Sequence, residues 1–321
     1  MILSVSRRTD IPNYYSDWFY ERIKEGFLYV RNPFNKHQLY KIPLSPDVVD
    51  CIVFWTKNPL PMMARLNELD KYNYYFQFTL TGYGRDIEPN IPHKKDEMIP
   101  AFIELSKRIG KERVIWRYDP ILINDRYTVE YHEKAFGQIA GRLHSYINKV
   151  VISFIDFYAK IKRNVNSLSI KELDQDTMAD IALRLSKIAK EFNIKIESCA
   201  EKIDLEPYGI SHGSCIDKRT IENIIGCKII CDKDKNQRAE CGCIESIDIG
   251  TYNTCRNGCK YCYANFSEET VEKNAGLYDV HSPLLCGSIS DEDVITERNI
   301  KSVIDNQLYI FEQTGEKGVL F

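Results

Sequence analysis

Cysteine is where chemistry first shows in this chain. Eleven occur in 321 residues; ten fall between Cys199 and Cys286, and only Cys51 lies in the first half. Cysteines used as small core hydrophobes would not segregate in this way, so the crowding suggests metal. The densest group is Cys255-Arg-Asn-Gly-Cys259-Lys-Tyr-Cys262. A loop with this three-then-two spacing can wrap one corner of an iron–sulfur cube and bring three thiolates to three irons. Gly258 supplies a backbone conformation that other residues resist. Three protein ligands leave one iron open, as a catalytic metal site requires. A structural zinc knuckle usually pairs its ligands two to four apart and totals four closed ligands. A ferredoxin-type carrier would also bring four cysteines. Chance spacing among crowded cysteines is the third competitor.

A second group is looser. Cys241-Gly-Cys243 is a pair suited to adjacent irons or to one metal, Cys199 closes an apolar run, and Cys215 lies in Ser-His-Gly-Ser-Cys. These four are expected to hold a closed auxiliary iron–sulfur cluster or a structural zinc. Cys227 and Cys231 are alternates, but on an apolar segment they read as core residues. His212 is near enough to Cys215 to be a ligand, although a loop histidine more often serves as a hydrogen-bonding residue.

The elements that must position these groups alternate along the first 200 residues. Apolar runs begin at Ile2, Val49, Tyr74, Arg113, Lys149 and Ile194, and a seventh, Cys-Ile-Glu-Ser-Ile-Asp-Ile-Gly, begins at Cys243. Between them apolar residues recur at helical spacing, as in Phe19, Ile23 and Phe27 or Ile181, Leu185 and Ile188. Ser16 and Asp96 are expected as helix caps, and Gly26 and Gly110 as helix stops. Near-continuous apolar strands alternating with helices predict an α/β fold with a parallel sheet. A (β/α) TIM-type barrel, complete or partial, is the expected form, and no convincing eighth strand is visible. The chain divides at this stage into strands and helices over 1–205 and a cysteine-rich, iron–sulfur-bearing region over 206–321 that closes the barrel. Polar Lys160–Thr177 reads as a surface connection, and Asp291–Phe311 has helical patterning through Val294, Ile300 and Ile304.

In such barrels chemistry gathers where strands end. The predicted strands run into Ser6-Arg7-Arg8-Thr9-Asp10, Trp55-Thr56-Lys57-Asn58, Thr79 to Gly84 and Arg117-Tyr-Asp119, with Asp156, Glu197 and Cys199 at later ends. Arg117 and Asp119 are catalytic candidates; a structural ion pair at a strand end is the competing reading. A net charge of −3 gives no general electrostatic reason to expect a nucleic-acid partner. Two arginines stand where a leader would need its apolar run, and no segment approaches a membrane span, so a cytoplasmic location away from any membrane is expected.

The stretch from Cys255 to Asn265 resembles the cluster motif of the radical S-adenosylmethionine (radical SAM) superfamily, down to the aromatic residue before the third cysteine. Its Cys-Lys-Tyr-Cys-Tyr-Ala part is most similar to the spore photoproduct lyase branch. The resemblance implies a 4Fe-4S cluster, S-adenosyl-L-methionine on its open iron, Tyr261 near the adenine, and an external electron donor such as a reductase, flavodoxin or ferredoxin. Superfamily members carry the motif near the N-terminus, after the first strand. The full chain instead resembles the family described as domain of unknown function 1848, through Ser-Val-Ser-Arg-Arg-Thr-Asp-Ile-Pro, Phe-Trp-Thr-Lys-Asn-Pro, Arg-Tyr-Asp-Pro and the late cysteines. A circular permutation reconciles the two, with the strand at Cys243 preceding the motif and lying beside the N-terminal strand in space. S-adenosylmethionine needs partners for a carboxylate, an ammonium and a ribose. Arg7 or Arg8 suits the carboxylate and Asp10 the ammonium or ribose, with Thr9, Thr56, Lys57 and Asn58 as further cofactor-binding candidates. The expected function is reductive cleavage of that cofactor to a 5′-deoxyadenosyl radical acting on an unknown substrate. The alternative is a non-catalytic binding protein stabilised by zinc or iron–sulfur, including one for nucleic acid.

Overall fold

The structure is a computed structural model that describes residues 1–156, 165 and 168–305. Its strands in chain order are β1 (Ile2–Val5), β2 (Phe27–Arg31), β3 (Gln38–Pro43), β4 (Cys51–Thr56), β5 (Tyr74–Thr79), β6 (Val114–Ile121), β7 (Lys149–Phe154), β8 (Lys195–Cys199), β9 (Ser211–Gly213), β10 (Ile247–Asp248) and β11 (Val294–Glu297). Eight of them form one parallel sheet in the order β10-β1-β4-β5-β6-β7-β8-β9. The strand that precedes the cysteine loop does pair with the N-terminal strand, Leu3 opposite Ile247 and Ser4 opposite Asp248.

Alternation explains why these runs are apolar throughout. In β4, Ile52 and Phe54 join the large outer core, while Cys51 and Val53 join a second cluster on the inner face. Four amphipathic helices supply outer-core residues: Ser16–Glu25 through Trp18 and Phe19, Ile99–Ile109 through Phe102 and Leu105, Val129–Leu143 through Phe136, and Gln175–Glu191 through Ile181 and Leu185. Each such buried side chain contributes about 1.5–3 kcal/mol.

The inner face is filled differently. Ile216, Ile221, Ile229 and Ile244, from the chain between β9 and β10, pack with Ile2, Val53, Tyr75, Ile115 and Val151. The Tyr75 hydroxyl and the Gln77 amide donate to the Cys215 carbonyl at 2.9 and 2.6 Å. Among the described residues β9 and β10 do not pair with each other, so this inserted segment bridges the two sheet edges. β9 and β10 therefore make the region after residue 205 part of the same sheet.

Several local expectations are corrected. Ser16 opens its helix behind an N-cap at Tyr15, and Asp96 lies inside a helical turn; side-chain caps are instead Asp10, Thr128, Asp174, Asp217 and Ser267. Gly26 and Gly110 do stop their helices, at φ of 77° and 92°. Phe27 begins β2 and does not extend the row of Phe19 and Ile23. From 291 to 305 there is no helix: Val294–Glu297 pairs with β3 beside the β2–β3 hairpin. Its β-branched residues suit an edge strand, and this outweighs the helical spacing. The rest of that expected helix, 306–311, lies outside the described residues, as do 160–164 and 166–167 of the expected connection. Asp174 ends that connection by capping the helix Gln175–Glu191. No helix among the described residues is long and apolar enough to cross a membrane.

Candidate functional site

The catalytic, cofactor-binding and favoured metal-ligand candidates, all but Asn58, line one cavity of about 420 Å³ at the carboxyl ends of the strands, whereas Cys227, Cys231 and His212 do not. Asn58 donates to the side chain of Asn13 at 2.9 Å instead, tying the loop after β4 to the segment after β1. Glu197 pairs with Lys149 and Lys195 away from this lining.

The three-cysteine loop follows β10. Gly258 stands at φ 68°, and a Cβ there would come within 3.0 Å of Pro89. Cys255 and Cys259 are buried and Cys262 half-buried. The Ala264 amide donates to Cys262 Sγ at 3.4 Å, and the Asn257 amide is directed at Cys255. Burial pushes the Cys259 thiol up to about 12, against the pull of Lys57; burial likewise raises Cys255 and Cys262. A bound cation would reverse that balance and stabilise the thiolates.

Beside this loop is an ionic cluster whose centre, Glu88, and second lysine, Lys94, sequence reasoning missed. The Glu88 carboxylate is almost inaccessible, with Lys57 Nζ at 2.8 Å, Thr81 Oγ1 at 3.0 Å, and Lys94 and the Tyr261 hydroxyl also donating to it. Burial alone would raise this carboxyl, but the two ammonium groups hold it well below the usual range. Tyr261 is thereby fixed at the cavity wall, its ring 6.0 Å from Tyr83. Glu88 lies in a loop and Lys94 opens the helical turn Lys94–Met98, with no spacing signal to join them; only their contact in the fold reveals the pair.

The Ser6–Asp10 segment is strapped to β10. Asp248 accepts from Ser4 Oγ at 3.1 Å, the Arg7 amide at 2.8 Å and the Gly250 amide at 3.0 Å. Arg8 donates to the Gly250 carbonyl at 3.3 Å and lies 5.0 Å over Tyr252. Asp10 is largely committed, accepting from the Lys57 amide at 2.8 Å, Asn257 Nδ2 at 3.0 Å and the Asn13 amide at 3.2 Å; burial raises its pKa nonetheless. The Thr9 hydroxyl differs, being buried at the cavity with no hydrogen-bond partner among the described residues. Thr56 Oγ1 accepts from the Asn58 amide at 2.9 Å.

The opposite wall is built from β6 to β9. Arg117 donates to Asp119 at 3.1 Å and to Cys215 Sγ at 2.7 Å, and Ser153 donates to Asp119. Both Arg117 and Arg7 lie over Trp55, at 5.3 and 5.9 Å. Burial pushes the Glu201 carboxyl up to about 7, although it accepts from the Phe154 amide at 2.8 Å. Cys199 Sγ is 2.7 Å from Cys215 Sγ, Cys243 contacts Cys215, and Cys241 contacts Cys243. The four thiols therefore form a chain of contacts. Among the described residues, no three His, Cys, Asp or Glu side chains stand ready-made around a single ion. His212 bonds the Glu240 carbonyl and is exposed.

No curated protein matches the chain. A solved structure described as "a putative alpha-L-fucosidase from Bacteroides thetaiotaomicron VPI-5482" is similar at 13% identity over 56% of this chain and 78% of that one, with a TM-score of 0.25. A likeness that slight carries no argument about fold or activity. The family profile is the informative match, and by its agreement over residues 2–264 the chain belongs to the family described as Domain of unknown function (DUF1848).

Proposed function

We propose that the protein is a radical S-adenosylmethionine enzyme that holds a 4Fe-4S cluster on Cys255, Cys259 and Cys262. The observation that carries this reading is that three thiols from one short loop line a common cavity at the strand ends, with backbone amides directed at two of the sulfurs. Each thiolate of a cube binds a different iron, so such a site does not need three sulfurs gathered around one point. Amide donors to sulfur and the nearby Lys57 fit an anionic cluster and tune its potential.

When bound, the cluster supplies the electron that reductively cleaves S-adenosyl-L-methionine to methionine and a 5′-deoxyadenosyl radical. The chain's own residues bind, orient and exclude water. The Arg8 guanidinium offers a carboxylate a charged partner at the cavity wall, and Arg7 a second. The unpartnered Thr9 hydroxyl offers a hydrogen bond to a polar group of the cofactor. Tyr261, held by Glu88, presents a ring for adenine. Arg117 and Asp119, ion-paired to each other and lining the cavity, can orient a polar substrate group there.

Anaerobically reconstituted protein given dithionite and S-adenosylmethionine is expected to release 5′-deoxyadenosine. Replacing Cys259 with alanine should abolish both the cluster absorbance and that release. An intact cluster without any release would overturn the enzymatic reading. Zinc alone, with no cofactor binding, would favour a non-catalytic metal-stabilised protein.

A further inference from the structure

We infer that Cys199, Cys215, Cys241 and Cys243 form a second, closed thiolate centre for a thiophilic metal, on the cavity wall opposite the three-cysteine loop. The inference is independent of the radical reading. The four residues come from distant parts of the chain: the end of β8, the loop after β9, and the approach to β10. All four are buried, and their sulfurs are in contact in the order Cys199, Cys215, Cys243, Cys241. Cysteines placed only to fill space would not need one another, whereas a four-thiolate shell needs all of them together. Their neighbours fit thiolates better than thiols. Arg117 Nη1 donates to Cys215 Sγ at 2.7 Å and the Ile216 amide donates to Cys243 Sγ at 3.3 Å. Thiols are weak acceptors, whereas metal-bound thiolates commonly receive such N–H donors from the surrounding shell.

The sulfurs must open to take the metal. With metal–sulfur bonds of about 2.3 Å, two sulfurs on one tetrahedral ion stand about 3.8 Å apart, farther than the 2.7 Å between Cys199 and Cys215. Rotation of side chains whose backbones already converge is the change this requires. A single zinc ion or an iron–sulfur cluster would satisfy the same four thiolates, and metal analysis separates the two.

The test uses a variant in which Cys255, Cys259 and Cys262 are all alanine, purified anaerobically. It is expected to retain either about one zinc per chain or about four irons with matching sulfide. Adding Cys241→Ser and Cys243→Ser should remove that metal, whereas Cys227→Ser with Cys231→Ser should leave it. If the triple variant does not fold, alkylation of the wild-type protein decides the matter. Cys199, Cys215, Cys241 and Cys243 should resist iodoacetamide until a chelator strips the metal, then react together. Substoichiometric metal in a folded triple variant, or alkylation of the four regardless of chelator, would overturn the inference. Either result is separable from the fate of the radical reading, which is decided by 5′-deoxyadenosine.

Discussion

Glu88 and Gly250 show how single positions support the cavity. The Glu88 carboxylate is buried between Lys57 and Lys94 and also receives the Tyr261 hydroxyl. Removing its charge leaves the half-buried Lys57 and Lys94 ammonium groups without their partner, a change that costs at most about 3–5 kcal/mol. Glu88→Gln is therefore expected to lower stability by that order in urea unfolding, whereas Tyr261→Phe, losing one hydrogen bond, should cost only about 1–3 kcal/mol. The pH dependence follows from the depressed carboxyl of the folded state. Its contribution is complete above the ordinary glutamate value of 4.5 and is lost as pH falls below it toward the folded value. The wild type should lose stability below about pH 4.5 more steeply than Glu88→Gln; equal acid limbs would refute the assignment. At Gly250 the constraint is steric, since a Cβ would lie 2.0 Å from Ser6 Oγ. Gly250→Ala must push the Ser6–Asp10 segment off β10, and a loss of about 1–3 kcal/mol is expected, with weakened metal retention.

The helix Val129–Leu143 is locked to β6 by one histidine. His132 Nδ1 meets the Tyr118 hydroxyl at 2.8 Å and its Nε2 meets the Leu122 carbonyl at 2.9 Å. Burial brings its pKa down to about 4, so the folded state keeps it neutral while the unfolded chain protonates near 6.5. The docking contribution is full above pH 6.5 and is lost as pH falls toward 4, a change on the order of 3 kcal/mol. His132→Asn should lower the melting temperature at pH 7 and flatten its decline over that window; an undiminished decline would show that another group is responsible. The elements the sequence disclosed were those with a single dominant signal. The seven apolar runs all became strands because burial on both faces makes such strands apolar throughout, and the cavity residues were legible because polar residues end those runs. What escaped depended on partners distant in the chain. β9 is Ser-His-Gly, with no apolar signal and an identity owed only to β8. β11 takes its conformation from β3, and Glu88 takes its meaning from lysines that are 31 residues before it and 6 after it.

The eight-stranded sheet depends on both halves of the chain. β10 comes from beyond residue 240 yet pairs with β1, and Asp248 on it organises the Ser6–Asp10 segment. The inner face of β1, β4, β5, β6 and β7 is covered by Ile216, Ile221, Ile229 and Ile244, which all follow residue 205. A division at 205 therefore separates strands from their own core. The helix Lys218–Ile225, capped by Asp217 through the Thr220 amide, holds Ile221 in that core. The prediction is that a fragment of residues 1–205 will not fold to a native state by itself. Its outer face would remain coverable by helices, while Val53, Tyr75, Ile115 and Val151 would face water, an exposure that favours a loosely packed state. Retained far-ultraviolet dichroism, weak near-ultraviolet dichroism and strong binding of a hydrophobic dye are expected. Adding residues 206–305 as a separate chain should restore the near-ultraviolet signal if the two pieces can find each other. A fragment 1–205 that unfolds cooperatively, without dye binding, would show instead that the inner core is dispensable and that the late segment is an appendage.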